Sequence, residues 1–204
     1  MSNRYNIPQP GQHRSEEIIK RSRFITTVAW APDVGAAKAF IESIKAEFPD
    51  ATHNCWAYAA GPPGDTAAVG FSDDGEPHGT AGRPMLNALL HSGIGEAAVV
   101  ITRYFGGVKL GSGGLVRAYS GATISGLEAT PLREKITPVR LKLSLDYTLI
   151  TQFKRALEGF EAVILEEAFT DVAGFCVELP EEHAEEFTLF LTNLSHGKAC
   201  MERI

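Results

Sequence analysis

A chain of 204 residues has room for one large or two small domains, and its 44% hydrophobic and 22% charged residues exclude a disordered or fibrous protein. The net charge of −6 falls entirely in the last third: residues 1–136 carry 13 Lys and Arg against 13 Asp and Glu, and residues 137–204 carry 6 against 12. An acidic tail of this kind repels nucleic acid, so any nucleic-acid site has to be a local patch on the neutral part.

No apolar run approaches the ~18 residues a membrane helix needs, and the opening MSNRYNIPQPGQHR has no apolar signal core. Cys55, Cys176 and Cys200 are too few and too scattered for a disulfide framework or a zinc knuckle. The expectation is a cytoplasmic protein with buried thiols and no membrane contact.

In chain order, SRFITTVAWA reads as a strand and DVGAAKAFIESIKAEF as a helix, with Asp33 as N-cap and Ala37, Phe40, Ile41, Ile44 and Phe48 on one face. HNCWAYAA is a strand, residues 61–80 a long polar loop, RPMLNALLHS a helix and EAAVVITRYF a buried strand. A glycine-rich loop follows, and then a helix from about Gly113 to Glu128. ATPLREKITPVR, with its prolines and charges, breaks both periodicities and reads as a linker at residue 136. Beyond it, VRLKLSLDY, TLITQFKRALEGF, AVILEEAFT, DVAGFCVEL, EEHAEEFTLFLTNLS and GKACMERI run βαββαβ, the split βαβ order of ferredoxin-like domains. The predicted class is α+β, with a mixed domain over 1–136 and a ferredoxin-like domain over 137–204.

Chemistry concentrates in two loops. RYFGGVKLGSGGLVRAYSGA, residues 103–122, groups Arg103, Lys109 and Arg117 with the aromatic rings of Tyr104, Phe105 and Tyr119. The backbone N–H groups of Gly111, Ser112, Gly113 and Gly114 open a helix and can converge on an anion. The stretch matches neither GxxxxGK[ST] nor GxGxxG. The alternative is a structural corner, in which the glycines supply positive φ or let the helix lie close to the sheet, with Gly121 and Gly126 there for packing. Of the rings, Phe105 is expected in the core more than Tyr119.

The second loop, FSDDGEPHGTAGRP, residues 71–84, offers Asp73, Asp74, Glu76, Thr80 and Arg83. Its carboxylates lack EF-hand spacing, and no HExxH occurs, so it reads as a solvated turn in which Asp side chains accept local N–H groups and Thr80 caps the next helix. No metal is expected. Arg103 has a second reading, as the ion-pair partner of Asp73, Asp74 or Glu76. His53 and His91 read as packed histidines, and Ser72, Ser112 and Cys55 have no sequence-evident base, so no catalytic residue is assigned.

Taken together, GFSDDGEPHGTAGRPML and VVITRYFGGVKLGSGGLVRAY resemble the IMPACT family, and the layout of the whole chain is similar to its bacterial YigZ-like branch. The resemblance implies an N-terminal domain with the fold shared by domain IV of elongation factor G and a C-terminal domain similar to its domain V. His78 stands where the family motif does not call for a histidine. Eukaryotic relatives act in translational control under amino-acid starvation, binding a ribosome-associated scaffold through an added N-terminal domain together with this one. That added domain is not expected here, so the scaffold partnership does not carry over.

The expected function is a non-enzymatic RNA- or ribosome-associated factor in translation regulation, with no cofactor and with a protein as the other candidate partner. The alternatives are a phosphate- or nucleotide-binding small-molecule enzyme or sensor, since LGSGG resembles the GLGSS loop of a class of small-molecule kinases, and an adaptor docking through its acidic C-terminal sheet.

Overall fold

A computed structural model describes residues 4–204; residues 1–3, part of the N-terminal domain in the sequence reading, lie outside them. The chain divides into two compact units, one of residues 5–135 and one of residues 136–204 together with Arg4.

The first unit runs β1 (Tyr5–Pro8), β2 (Gln12–Ile19), β3 (Ser22–Trp30), α1 (Val34–Glu47), β4 (His53–Ala59), β5 (Val69–Ser72), α2 (Gly82–Leu90), β6 (Ala97–Tyr104), α3 (Ser112–Glu128) and β7 (Leu132–Lys135). Five strands form an antiparallel sheet in the order β2-β3-β6-β4-β5. Central β6 is apolar along most of its length because both of its faces are covered. Ala97, Val99 and Ile101 join the core under α2 and α3, while Ala98 and Val100 join the core under α1. Asp33 starts α1 by accepting from the Ala36 N–H at 2.8 Å, and Ala37, Phe40, Ile41 and Ile44 are its buried stripe.

Four strands of this unit have no periodic signature in the sequence. β2 is a sheet edge in which polar residues alternate with polar residues, and its Ile18 is 71% exposed. β5 lies inside the expected loop 61–80 and exists because it pairs with β4. β7 corrects the linker reading of residues 129–140: Leu132–Lys135 pair antiparallel with Tyr5–Pro8, a partner at the far end of the unit's chain that local composition cannot announce. Gly121 also departs from expectation, since a Cβ there would meet nothing within 4 Å. Gly126 does pack closely, its would-be Cβ falling 2.5 Å from Thr26 Cγ2 of β3.

The second unit runs β8 (Pro138–Leu145), α4 (Ile150–Ala156), β9 (Val163–Phe169), β10 (Ala173–Pro180), α5 (Ala184–Leu194) and β11 (Cys200–Arg203). Its strands form an antiparallel sheet ordered β11-β8-β10-β9, the split βαβ arrangement of ferredoxin-like domains. Alternation along β8 buries Val139, Leu141, Leu143 and Leu145 and exposes Arg140 and Lys142. Phe153 of α4 lies 4.7 Å from Phe175 and 6.4 Å from Phe187, ring centre to ring centre, at the middle of this core. Arg4 belongs here through its ion pairs with Glu161, at 2.8 Å, and Glu182. Cys55 and Cys176 are buried but Cys200 is exposed on edge strand β11, which corrects the expectation of three buried thiols. Among the described residues no helix is long and apolar enough to cross a membrane.

Candidate functional site

β6 ends at Tyr104, and residues 105–111 turn over the end of the sheet into α3. Gly106 fixes this path: its N–H donates to Ser22 Oγ at 3.2 Å, and a Cβ there would run into the Arg21 carbonyl. The loop is therefore held against the β2–β3 turn. That turn consists of Lys20 and Arg21 alone, since Ile19 pairs with Ser22, and their φ angles of 46° and 68° are left-handed. Hairpins usually give such positions to Asn or Gly, so here a strained turn presents two exposed cations beside the glycine loop.

α3 opens on Gly111, whose φ of 78° requires glycine and whose missing side chain leaves the helix uncapped. The first helical bond is from the Leu115 N–H to the Gly111 carbonyl at 2.8 Å, so the N–H groups of Ser112, Gly113 and Gly114 have no intrahelical acceptor. Gly113 has an ordinary φ and open space around it, so neither strain nor packing calls for a glycine there.

Arg103 takes its second reading. Its Nη1 donates to Glu76 Oε1 at 2.5 Å and its Nη2 to Ser22 Oγ at 3.2 Å, and its guanidinium lies 5.5 Å from the Phe24 ring and 5.6 Å from the Phe105 ring. Held in a buried pair, it is not a free phosphate contact. Tyr119 is fully buried and donates its hydroxyl to Glu76 Oε1 at 2.8 Å, so it offers no stacking face. Phe105, expected in the core, is instead 47% exposed. The sequence did hold this signal, because Leu115, Ala118, Tyr119 and Ala122 form one helical stripe. Tyr104 points to the opposite face of the sheet from Arg103 and donates to Asp50 Oδ1 at 2.9 Å. Lys109 and Arg117 are exposed, and among the described residues neither has an ion-pair partner.

The carboxylates of the second loop hold the fold. Burial works against ionisation of Asp73, but the N–H groups of Gly79, Gly82 and Ala81, at 2.8, 2.9 and 3.0 Å, outweigh it and keep the carboxyl below its ordinary range. Asp73, not Thr80, thus supplies acceptors at the start of α2; Thr80 Oγ1 donates to the Pro77 carbonyl at 2.6 Å. Asp74 accepts from the Asn54 N–H at 2.6 Å. Among the described residues no group of three His, Cys, Asp or Glu is placed to hold a metal. Arg83 is exposed on α2, beside Val116 and Ser120 of α3.

A chain of contacts leads inward from this cluster. Cys55 Sγ lies 2.9 Å from the Asp73 carbonyl and 3.4 Å from Tyr119 Oη, and burial pushes both the thiol and the phenol well above their ordinary values. His53 bonds the Asp74 carbonyl through Nδ1 at 2.8 Å, with Nε2 3.8 Å from Glu76 Oε2. Outward, the two loops meet in a cleft of about 470 Å³, walled by Phe105, Lys109, Ser112 and Pro77 over Arg103 and Glu76. Sequence reading located both loops but missed Lys20 and Arg21, which become a hairpin tip only through the pairing of β2 with β3 and carry no periodic signal of their own.

Residues 20–127 match the family described as the Impact N-terminal domain, and residues 143–198 match a domain of unknown function (DUF1949). The chain is 43% identical over 181 residues to IMPACT family member YigZ of Escherichia coli (strain K12), covering 89% of each chain. It is 34% identical over 195 residues to IMPACT family member YvyE of Bacillus subtilis (strain 168), covering 96% of this chain and 88% of that one. A crystal structure described as that of a hypothetical protein, at 40% identity, superposes with a TM-score of 0.67 over 100% of this chain and 98% of the other.

Proposed function

The chain belongs to the IMPACT family, and from that membership we propose that it is a translation-related regulator that associates with RNA or the ribosome and catalyses no reaction of its own. Membership supports the regulatory role in outline. The observation that carries the RNA reading is the grouping at one end of the first unit's sheet: exposed Lys109 on a loop that Gly106 locks against the Lys20–Arg21 turn, with exposed Phe105 in the same loop. Cations that track phosphates, beside a ring on which a base can stack, are the elements of single-strand recognition. Arg117, five residues into α3, adds a further exposed cation. The implied resemblance to translation-factor domains agrees by association. A high thiol pKa makes Cys55 a poor nucleophile, consistent with a binding protein.

The test is sedimentation of the tagged protein from cell lysate through sucrose gradients at low and high salt, with and without ribonuclease. Ribosomal particles carry the protein at low salt and release it at high salt. Loss on ribonuclease treatment alone indicates free RNA as the partner. Protein that stays at the top of the low-salt gradient rejects the reading.

A further inference from the structure

The cleft between the two loops has the chemistry of a pocket for one nucleotide. α3 is 17 residues long and its N-terminus, uncapped by any side chain, supplies Gly111 and Ser112 to the cleft wall. Independently, the Arg103 side chain is only 6% exposed and, among the described residues, its Nε–H has no hydrogen-bond partner, although Nη1 and Nη2 are engaged. Buried donors are nearly always satisfied, and Arg103 lies in the wall of this same cleft.

The charge of the cleft favours an anion. Glu76 cancels Arg103, and its Oε1 already accepts from both Arg103 and the Tyr119 hydroxyl, while Oε2 lies 3.8 Å from His53. Lys109 and the positive end of α3 then remain uncompensated, and His53 adds charge only when protonated. Phe105 and Pro77 give the cleft an apolar side suited to a base, and about 470 Å³ lies in the range of small-molecule pockets. A phosphate cradle beside an exposed ring describes a nucleotide better than an isolated anion.

We infer that this cleft binds a nucleoside monophosphate unit, its phosphate on Lys109 and the N–H groups that open α3, and its base against Phe105. The inference deepens the RNA-associated reading and rests on it in one respect: an RNA 5′ end carries the same unit as a free nucleotide.

Calorimetric titration of the full chain with AMP, adenosine, inorganic phosphate, and short oligoribonucleotides bearing a 5′-phosphate or a 5′-hydroxyl tests it. AMP is expected to bind at least tenfold more tightly than adenosine or phosphate, and exposed-residue variants Lys109→Ala and Phe105→Ala to weaken AMP at least tenfold while keeping the parent circular dichroism. A 5′-phosphorylated oligonucleotide that binds more tightly than AMP and than its 5′-hydroxyl counterpart supports the inference with an RNA end as ligand; AMP binding equal to that of either oligonucleotide supports it with a free nucleotide. Absence of binding by AMP and by the 5′-phosphorylated oligonucleotide at millimolar concentration overturns it, as does binding that both variants leave unchanged. Ribosome sedimentation that persists while AMP and the 5′-phosphorylated oligonucleotide fail to bind removes the pocket and leaves ribosome association standing, whereas AMP binding without sedimentation supports the pocket and removes ribosome association.

Discussion

Arg103 Nη1 donates to Glu76 Oε1 at 2.5 Å, with both side chains more than nine-tenths buried, and this pair ties the end of β6 to the loop that precedes α2. Removing one partner leaves the other as an uncompensated buried charge. Arg103→Ala and Glu76→Ala are each expected to lower unfolding free energy by roughly 3–5 kcal/mol. Urea denaturation checks this, and a loss under about 1 kcal/mol in both variants would show the pair to be dispensable.

Two glycines of the same loop region respond in opposite directions to alanine. Gly113 has ordinary φ and open surroundings in the first turn of α3, so Gly113→Ala stabilises by about 0.5–1 kcal/mol. At Gly106 the new methyl group meets the Arg21 carbonyl, so Gly106→Ala destabilises. Thermal melts of the two variants should move to opposite sides of the parent, and a shift in the same direction contradicts the assigned roles.

Stability should fall on the acid side through two carboxylates. Asp73 is held low against its burial by backbone N–H groups, and Glu96 is held low against its burial by Lys135, by Trp30 Nε1 and by the Tyr5 hydroxyl, the last two at 2.9 Å. A folded pKa below the unfolded one contributes stability that is fully present above the unfolded carboxylate range, near pH ~4, and disappears as pH falls through the lower folded value. Urea midpoints followed downward from about pH 6 should decline, and the Asp73→Asn, Glu96→Gln double variant should show a shallower decline. An equal decline in parent and double variant would place the acid sensitivity elsewhere.

Binding of single-stranded RNA should report the free cations and not the buried one. Each phosphate contact contributes ~0.7 to the log–log salt slope, so Lys109→Ala with Arg117→Ala should flatten it by roughly 1.4. Filter binding from low to moderate salt measures the slope. If the double variant keeps the parent slope, the RNA surface is not at this end of the sheet.

The second unit has its own core around Phe153, Phe175, Phe187 and Leu191 and a complete four-stranded sheet. A fragment of residues 137–204 should therefore unfold cooperatively with a mixed α/β circular dichroism spectrum. A random-coil spectrum would show that this small core needs the rest of the chain.

By itself the sequence determined the elements whose faces are told apart by period. The stripe of α1 from Ala37 to Ile44, the doubly covered run of β6 and the alternation of β8 each state which side meets a core, because burial of apolar surface acts on every turn or every second residue. The same logic made the βαββαβ order of the last third readable and, applied to α3, would have placed Tyr119 inside. Tertiary structure alone decided the rest. β7 is a strand only because Tyr5–Pro8 lies beside it, and polar β2 only because β3 does. Arg103 faces inward because the alternation of β6 continues past Ile101, and it could do so only because Glu76, from a loop 27 residues earlier in the chain, arrives with a compensating charge. A buried cation is stable only where folding brings it a partner, and the identity of that partner is a property of how loops cross in space, which no local period encodes.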